Sequence, residues 1–199
     1  MILKKSFYSR PTLEVAKDLL GCYLVRRITP VKSTTSRGAR IGEQFDGVKE
    51  IRAVITDVEA YIGEDDLACH ASKGRTPRSE VLYGEAGHAY VYLIYGMYYI
   101  MNVVTEKKDF PAAVMIRAIK IEGVDYAKTN GPGKVCREMK IGKEFHDFDI
   151  TSGGKLWIER GKKIDPRGII STTRVGIAYA EHCALYPWRF VLKEYWKNK

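Results

Sequence analysis

Residues 88–102 read His-Ala-Tyr-Val-Tyr-Leu-Ile-Tyr-Gly-Met-Tyr-Tyr-Ile-Met-Asn, with five of the chain's thirteen tyrosines and no Asp, Glu, Lys or Arg. Aromatic and β-branched residues at this density favour extended strands. Gly96 tolerates positive φ, which predicts two strands, Ala89–Ile94 and Met97–Val104, joined by a tight reversal. Tyr95 would stand at the tip of this hairpin. Its ring either belongs to a buried hairpin whose hydroxyls are satisfied, or meets a binding partner.

The other apolar segments predict a mixed α+β fold. Arg10, Pro11 and Thr12 begin a helix that ends at Gly21, and Arg52–Tyr61 and Ala112–Ile119 are predicted strands. Further strands are predicted at Tyr23–Val25, Lys155–Glu159, Arg174–Ala178 and Pro187–Val191, and a helix at Lys134–Ile141. Because sheet outweighs helix and no βαβ unit recurs, we expect one domain over residues 1–199, with a curved, largely antiparallel sheet, flanking helices and a protruding β-hairpin.

Two polar segments interrupt this pattern. Residues 29–49 are rich in Ser, Thr, Gly and charge, which predicts an exposed loop excursion between paired strands. Residues 63–87 are also polar and predict a long ordered loop with one helical turn. Structureless loops of this length are uncommon unless they serve a function.

Composition narrows the class of protein. The 199-residue chain has a formal net charge of +9 and a pI of about 9.3, which indicates either a polyanionic partner such as nucleic acid or a generally basic protein. The four cysteines are widely spaced, contain no CxxC motif and predict reduced thiols. The amino terminus predicts no signal peptide, and no run of 18 apolar residues predicts a membrane span.

Three residues are candidates for chemistry. Glu59 lies in an apolar and aromatic setting, so it is either solvent-facing at a strand end or a base with a raised pKa. Arg117 is a lone cation in an apolar strand; it needs a carboxylate or phosphate, and an internal ion pair with Asp57 or Glu59 would suffice. His70 is a base, a ligand or a hydrogen-bonding loop residue.

A metal site is weakly supported. Asp65 and Asp66, with Glu64, Cys69 and His70 nearby, invite that interpretation, but adjacent acids seldom face one ion, no second His or Cys cluster completes a site, and most such runs are solvated loop charge. The chain contains no Walker A, GxSxG or HExxH motif, which removes several common enzyme classes.

Together these features fit an enzyme that works on a nucleobase taken out of a duplex. A basic surface attracts DNA, and an aromatic wedge fills the gap left by the extruded base. Aromatic rings then stack on the base, and a carboxylate activates water or stabilises an oxocarbenium-like sugar.

The chain also resembles the alkyladenine (3-methyladenine) DNA glycosylase family in order from about Phe7 to Val191. The similarity is carried by Val58-Glu59-Ala60-Tyr61, Cys69-His70, Thr76-Pro77-Arg78, Tyr90 to Tyr98, Met101-Asn102, Ile116-Arg117-Ala118, Asn130 to Lys134, Arg174-Val175-Gly176 and Trp188-Arg189-Phe190. The Tyr-Gly-Met-Tyr and Asn-Gly-Pro-Gly-Lys segments are specific in combination. The chain departs from the family pattern in residues 29–49 and in the loop after His70.

The resemblance implies a monomeric glycosylase without cofactor, metal or lyase step that acts on double-stranded DNA containing damaged purines. Glu59 would be the base that activates water, with Arg117 beside it. The resemblance also assigns a base pocket formed by Tyr61, His70, Tyr92 and Asn102. At the minor groove it places Tyr95, as the wedge, and Met97. Arg78 would contact the DNA backbone. Its lesions would be 3-methyladenine and 7-methylguanine, with hypoxanthine and ethenoadenine as further candidates.

Two other functions compete with this interpretation. A non-catalytic protein could bind bent or damaged DNA through the same wedge, and a metal-dependent hydrolase could use Asp65, Asp66 and His70. The absence of a targeting extension leads us to expect a bacterial or archaeal-type, cytoplasmic, nucleoid-associated protein.

Overall fold

The computed structural model describes residues 1–29 and 47–196, and its centre is a sheet of nine strands. The strands are β1 (Tyr23–Ile28), β2 (Lys49–Ile62), β3 (His88–Ile94), β4 (Tyr98–Val104), β5 (Ala112–Ile121), β6 (Phe148–Asp149), β7 (Leu156–Glu159), β8 (Ile169–Thr172) and β9 (Arg189–Leu192). Their order is β6-β3-β4-β5-β2-β1-β7, with β9 also on β2 and β8 on β9. Every pairing within the described ranges is antiparallel, so the α+β prediction is confirmed.

Strand β2 is the axis of the sheet. It pairs with β1, β5 and β9, and its residues from Ile55 to Ala60 are all buried. A strand covered on both faces is apolar nearly throughout, so the acidic side chains of Asp57 and Glu59 within it need specific partners. The main core, in which Ile55, Ile116 and Met101 take part, packs β2, β4 and β5 against the helices.

The predicted hairpin is confirmed. Strands β3 and β4 are joined by Tyr95, Gly96 and Met97; the φ angles of Tyr95 and Gly96 are 50° and 68°, and the Met97 N–H donates to the Ile94 carbonyl over 3.1 Å. Positive φ at Tyr95 and Gly96, the two central positions of the turn from Ile94 to Met97, matches the right-handed twist of the strands. Tyr95 is therefore held at the tip in a conformation that bulky residues rarely adopt.

The helices are short and flank the sheet. They are α1 (Lys5–Tyr8), α2 (Thr12–Leu19) and α3 (Pro132–Glu138), with 3₁₀ helices at His70–Lys73, Glu80–Tyr83, Tyr126–Lys128, Lys143–Phe145, Pro166–Gly168, Ala178–Leu185 and Lys193–Tyr195. Gly133 lets α3 approach the hairpin, because a Cβ there would lie 3.1 Å from the Tyr98 Cβ. The helix predicted to reach Ile141 ends at Glu138.

Several expectations need correction. The predicted strand at 174–178 is wrong: Gly176 has a φ of 78° and residues 173–177 form a turn, while the strand lies earlier, at β8. The loop 63–87 contains two 3₁₀ helices rather than one turn. Most of the excursion predicted at 29–49 lies outside the described residues.

Two further findings concern the chain as a whole. All four cysteines are buried and free of disulfide bonds. In the described ranges, no helix has the length and apolar character needed to cross a membrane.

Candidate active site

Glu59 is a fully buried carboxylate in β2, so the solvent-facing alternative is wrong. The Tyr61 hydroxyl donates to its Oε2 over 2.7 Å, and the Val175 N–H donates to its Oε1 over 3.1 Å. Tyr61 lies two residues further along β2, so both side chains leave the same face of the strand. Arg117 Nη1 lies 3.2 Å from Oε1. The carboxylate therefore has a full set of partners directed at its charged form.

The pKa of Glu59 reflects two opposing effects. Burial raises it above the ordinary value, while the charge of Arg117 and the hydrogen bonds from Tyr61 and Val175 lower it. The net direction is upward because removal from water outweighs the favourable contacts. A carboxyl group with a raised pKa is a stronger base once ionised, which suits proton abstraction.

A pair of β-bulges places Arg117 beside this carboxylate. The register of β2 against β5 passes from Ile55 opposite Ile119 to Asp57 opposite Ala118, and then to Val58 opposite Ile116. Arg117 is thus left without a residue directly opposite it. Bulges redirect side chains and occur next to active sites. Here the bulge turns the guanidinium toward Glu59 and Asp57, and the predicted internal ion pair forms with both.

The four predicted pocket residues line one narrow cleft, which is formed by β2, β5, the β3–β4 hairpin and the loop between β2 and β3. It is lined by Tyr61, Ala68, Cys69, His70, Leu82, Tyr90, Tyr92, Asn102 and Ala113. The Tyr92 ring lies 4.6 Å from the His70 ring and 5.1 Å from the Tyr90 ring, measured between centroids. The Tyr61 hydroxyl joins the cleft wall to Glu59. An aromatic cleft with a carboxylate hydrogen-bonded to one of its wall residues has the features of a small-molecule site.

His70 is a neutral side chain in this cleft. Its Nδ1 lies 2.7 Å from the Tyr90 hydroxyl. Burial, together with the positive charge of Arg78, lowers the pKa of His70 to about 4. The ring therefore serves as an uncharged wall and hydrogen-bonding group at neutral pH rather than as a proton carrier.

Asn102 and Arg78 differ in their exposure to solvent. Asn102 is buried, and its Nδ2 donates to the Tyr90 carbonyl over 3.1 Å, which holds the amide against the cleft. Arg78 is exposed, with its guanidinium carbon 5.5 Å from the centre of the Tyr92 ring. The predicted DNA-backbone cation thus lies over an aromatic wall of the cleft.

The hairpin tip presents apolar surface to solvent. Tyr95 is 86% exposed and Met97 65% exposed. Large exposed apolar side chains in a cluster mark interaction sites. The two residues predicted to meet DNA therefore lie on the outside of the protein, apart from the cleft-lining set.

Sequence reasoning missed the residues that support Glu59 from behind the strand. Arg174 donates from Nη1 and Nη2 to Asp66 over 2.6 and 2.8 Å, and the two side chains are almost completely buried. Arg174 also donates to the carbonyls of Ala60 and Cys183. Arg174 directly precedes Val175, so the Arg174–Asp66 pair anchors the Val175 N–H that donates to Glu59. The only available signal was Arg174-Val175-Gly176 within the family resemblance.

The metal interpretation loses one of its three proposed ligands, Asp66. Both Asp66 oxygens accept hydrogen bonds from Arg174, so this carboxylate is not a solvated loop charge. Within residues 1–29 and 47–196, no three His, Cys, Asp or Glu side chains group as a metal site requires.

Comparison with known proteins identifies the family of the chain. The family model described as methylpurine-DNA glycosylase (MPG) matches residues 37–195. Relatives in Methanocella arvoryzae, Clostridium acetobutylicum and Legionella pneumophila (strain Corby) are 44%, 41% and 42% identical over 95%, 97% and 96% of this chain and 91%, 95% and 94% of their own. All three are provisionally named 3-methyladenine DNA glycosylases.

The fold and cleft thus belong to a DNA glycosylase, an enzyme that hydrolyses N-glycosyl bonds in DNA. The chain is a member of the methylpurine-DNA glycosylase family, and the family resemblance in its sequence is confirmed.

Proposed function

We propose that this glycosylase removes alkylated purines, with 3-methyladenine first among them, from double-stranded DNA after turning the damaged nucleotide into the cleft. The observation that carries the proposal is the buried Glu59, held by Tyr61, Val175 and Arg117, with Tyr61 connecting it to the aromatic cleft that Tyr61 lines. The names of the three relatives support 3-methyladenine as a substrate.

The reaction follows from these contacts. Glu59 takes a proton from a water molecule, the water oxygen bonds to C1′ of the sugar, and the C1′–N bond breaks with its electron pair leaving on the base. A base methylated at N3 or N7 carries a positive charge, so it leaves as a neutral molecule. Arg117 keeps Glu59 ionised and in place. Because Glu59 is shielded from solvent, the reacting water is one bound with the substrate.

The cleft discriminates by stacking and charge. Cationic lesions gain from the electron-rich faces of Tyr61 and Tyr92, and His70 adds no competing positive charge because it is neutral. Hypoxanthine and ethenoadenine are neutral and depend on protonation of the leaving base. We therefore expect slower excision of these two lesions.

The hairpin supplies the wedge. Tyr95 at the tip enters the gap left by the turned-out nucleotide, and Met97 packs beside it against the minor groove. The protein acts as a monomer in the cytoplasm, and the positive charge of the chain attracts the duplex.

Base release from alkylated duplex DNA tests the proposal. Wild type should release 3-methyladenine, and Glu59→Gln should lose at least about 100-fold in rate, the low end for removal of a general base. The control is binding of a duplex with a non-hydrolysable lesion, which Glu59→Gln should retain. Tight binding by wild type with no base release would instead support the non-catalytic DNA-binding alternative.

A further inference from the structure

Four charged side chains from three strands form one buried cluster at the Glu59 end of the site. Asp57 and Glu59 come from β2, Arg117 from β5 and Arg189 from β9. None of the four side chains is more than 17% exposed. Two carboxylates and two guanidinium groups balance in charge, so replacing any one of the four with a neutral side chain leaves an excess charge in the cluster.

The contacts in this cluster link Arg189 to Asp57, Asp57 to Arg117, and Arg117 to Glu59. Arg189 Nη2 donates to Asp57 Oδ2 over 2.7 Å and Nε donates to Oδ1 over 3.1 Å, a two-point contact that fixes the carboxylate plane. Arg117 Nε lies 3.7 Å from the same Oδ2, while its Nη1 lies 3.2 Å from Glu59 Oε1. Arg117 thus bridges the two carboxylates, and Asp57 is shared between the two guanidinium groups.

We propose that Asp57 and Arg189 are positioning residues of this glycosylase, which fix Arg117 between two carboxylates and thereby control the charge on Glu59. The inference rests on the proposed role of Glu59 as the base. Asp57 and Arg189 act on the Glu59 carboxylate through Arg117 and through their charge. The Asp57–Arg189 ion pair, at the junction of β2 and β9, would thus contribute to the reaction as well as to the fold.

Opposite substitutions should have opposite effects. Asp57→Asn leaves two guanidinium groups facing one carboxylate, so Glu59 stays ionised to lower pH and becomes a weaker base. Arg189→Gln frees Asp57 to draw Arg117 toward itself, so Glu59 takes up a proton at higher pH. The double variant restores the charge balance and should fall between the two.

The other titratable and charged groups near Glu59 keep their charge across the pH range of this test. Hydroxyl groups face it from β2 and β3, and a guanidinium group faces it from the segment after β8; these are Tyr61, Tyr92 and Arg174. Burial raises the pKa of both tyrosines, so they remain neutral across the acid range, and Arg174 remains paired with Asp66.

The experiment is a pH titration of wild type, Asp57→Asn, Arg189→Gln and the double variant. Single-turnover excision gives the acid limb of the rate profile, and carbon-13 NMR of the Glu59 carboxyl gives its ionisation without turnover. Relative to wild type, we expect both midpoints to move down by on the order of one pH unit in Asp57→Asn and up by a similar amount in Arg189→Gln.

A purely structural pair would lower the folded fraction and leave the midpoints unchanged. Unshifted midpoints, or shifts of the same sign in the two single variants, would overturn the inference. The conservative variants Asp57→Glu and Arg189→Lys keep the charges and should keep the wild-type midpoints even if they lose stability. Because the NMR titration needs no substrate, failure of wild type to release base would count against the proposed function while the midpoints still judge this inference.

Discussion

Individual residues of this site are held in states that lower the stability of the folded protein. Burial raises the pKa of Glu59, so the folded state favours the protonated form more than the unfolded chain does. The contribution of this group to stability is complete at low pH and is lost as the pH rises through its folded pKa. The ionised Glu59 that the proposed reaction requires is thus obtained at a cost to folding.

The first prediction concerns Glu59→Gln, which resembles the protonated side chain. We expect this variant to melt at a higher temperature than wild type at pH 8, with the difference shrinking toward pH 4. Each unit of pKa shift corresponds to about 1.4 kcal/mol, and each kcal/mol to about 2–4 °C for a chain of this length. Calorimetry across this pH range measures the difference; a value that stays constant with pH would rule out ionisation of Glu59 as its cause.

The second prediction concerns His70, whose pKa is lowered to about 4. Unfolding frees the ring to take up a proton, so the stability contributed by neutral His70 falls as the pH is lowered from about 6.5 toward about 4. Nitrogen-15 NMR should find the ring neutral at pH 6. Arg78→Gln removes a positive charge and should raise the midpoint; an unchanged midpoint would show that burial alone is responsible.

At the scale of secondary structure, the β3–β4 hairpin and the β2–β5 bulges set where these side chains lie. The hairpin followed from local sequence, because Tyr95-Gly96 breaks an aromatic run. The bulges did not, since they depend on how two distant strands align. The same holds for Arg174 and Asp66, which are 108 positions apart. The segment from Arg174 to Ala178 has a strand-like sequence, but Gly176 has a positive φ and the chain bends there.

The third prediction concerns the hairpin tip. Tyr95→Gly removes a side chain from a backbone with a φ of 50°, and should stabilise the fold by about 1 kcal/mol, since glycine adopts this conformation readily. The same change should slow excision from duplex DNA. Tyr95→Ala serves as the control that loses the wedge and keeps a Cβ. Equal excision by wild type and both variants would remove the wedge role.

The fourth prediction concerns the Asp66–Arg174 pair. Asp66→Asn leaves a buried guanidinium group without its anionic partner and should cost about 3–5 kcal/mol in free energy of unfolding. The double change Asp66→Asn with Arg174→Met removes both charges and should cost less than the sum of the single changes. Urea unfolding of the four proteins gives the coupling, and strict additivity would contradict it.

For the molecule as a whole, charge and fold act on different steps. The sheet and its helices hold the cleft. The sequence pattern predicted this fold as α+β but did not specify the order of the strands. Under the proposed function, we expect the net charge of +9 to act before any damaged base is found, because it would attract the protein to any stretch of duplex.

The fifth prediction follows from this charge. Affinity for undamaged duplex should fall by at least about tenfold between 50 and 200 mM salt, because each phosphate contact releases counterions. The single-turnover rate at saturating enzyme should change little over the same range, since the Glu59 cluster is buried. Fluorescence anisotropy and quenched-flow assays separate the two, and a flat binding curve would contradict the electrostatic origin.

The burial of all four thiols has a consequence for the conditions under which such an enzyme works. Methylating electrophiles that damage purines also attack cysteine, and the thiolate is the reactive form. Burial raises the pKa of Cys69 and of Cys136 to about 12, so both remain protonated at neutral pH. We propose that this protein removes methylated bases. Its buried thiol groups are therefore kept away from the agents that methylate those bases.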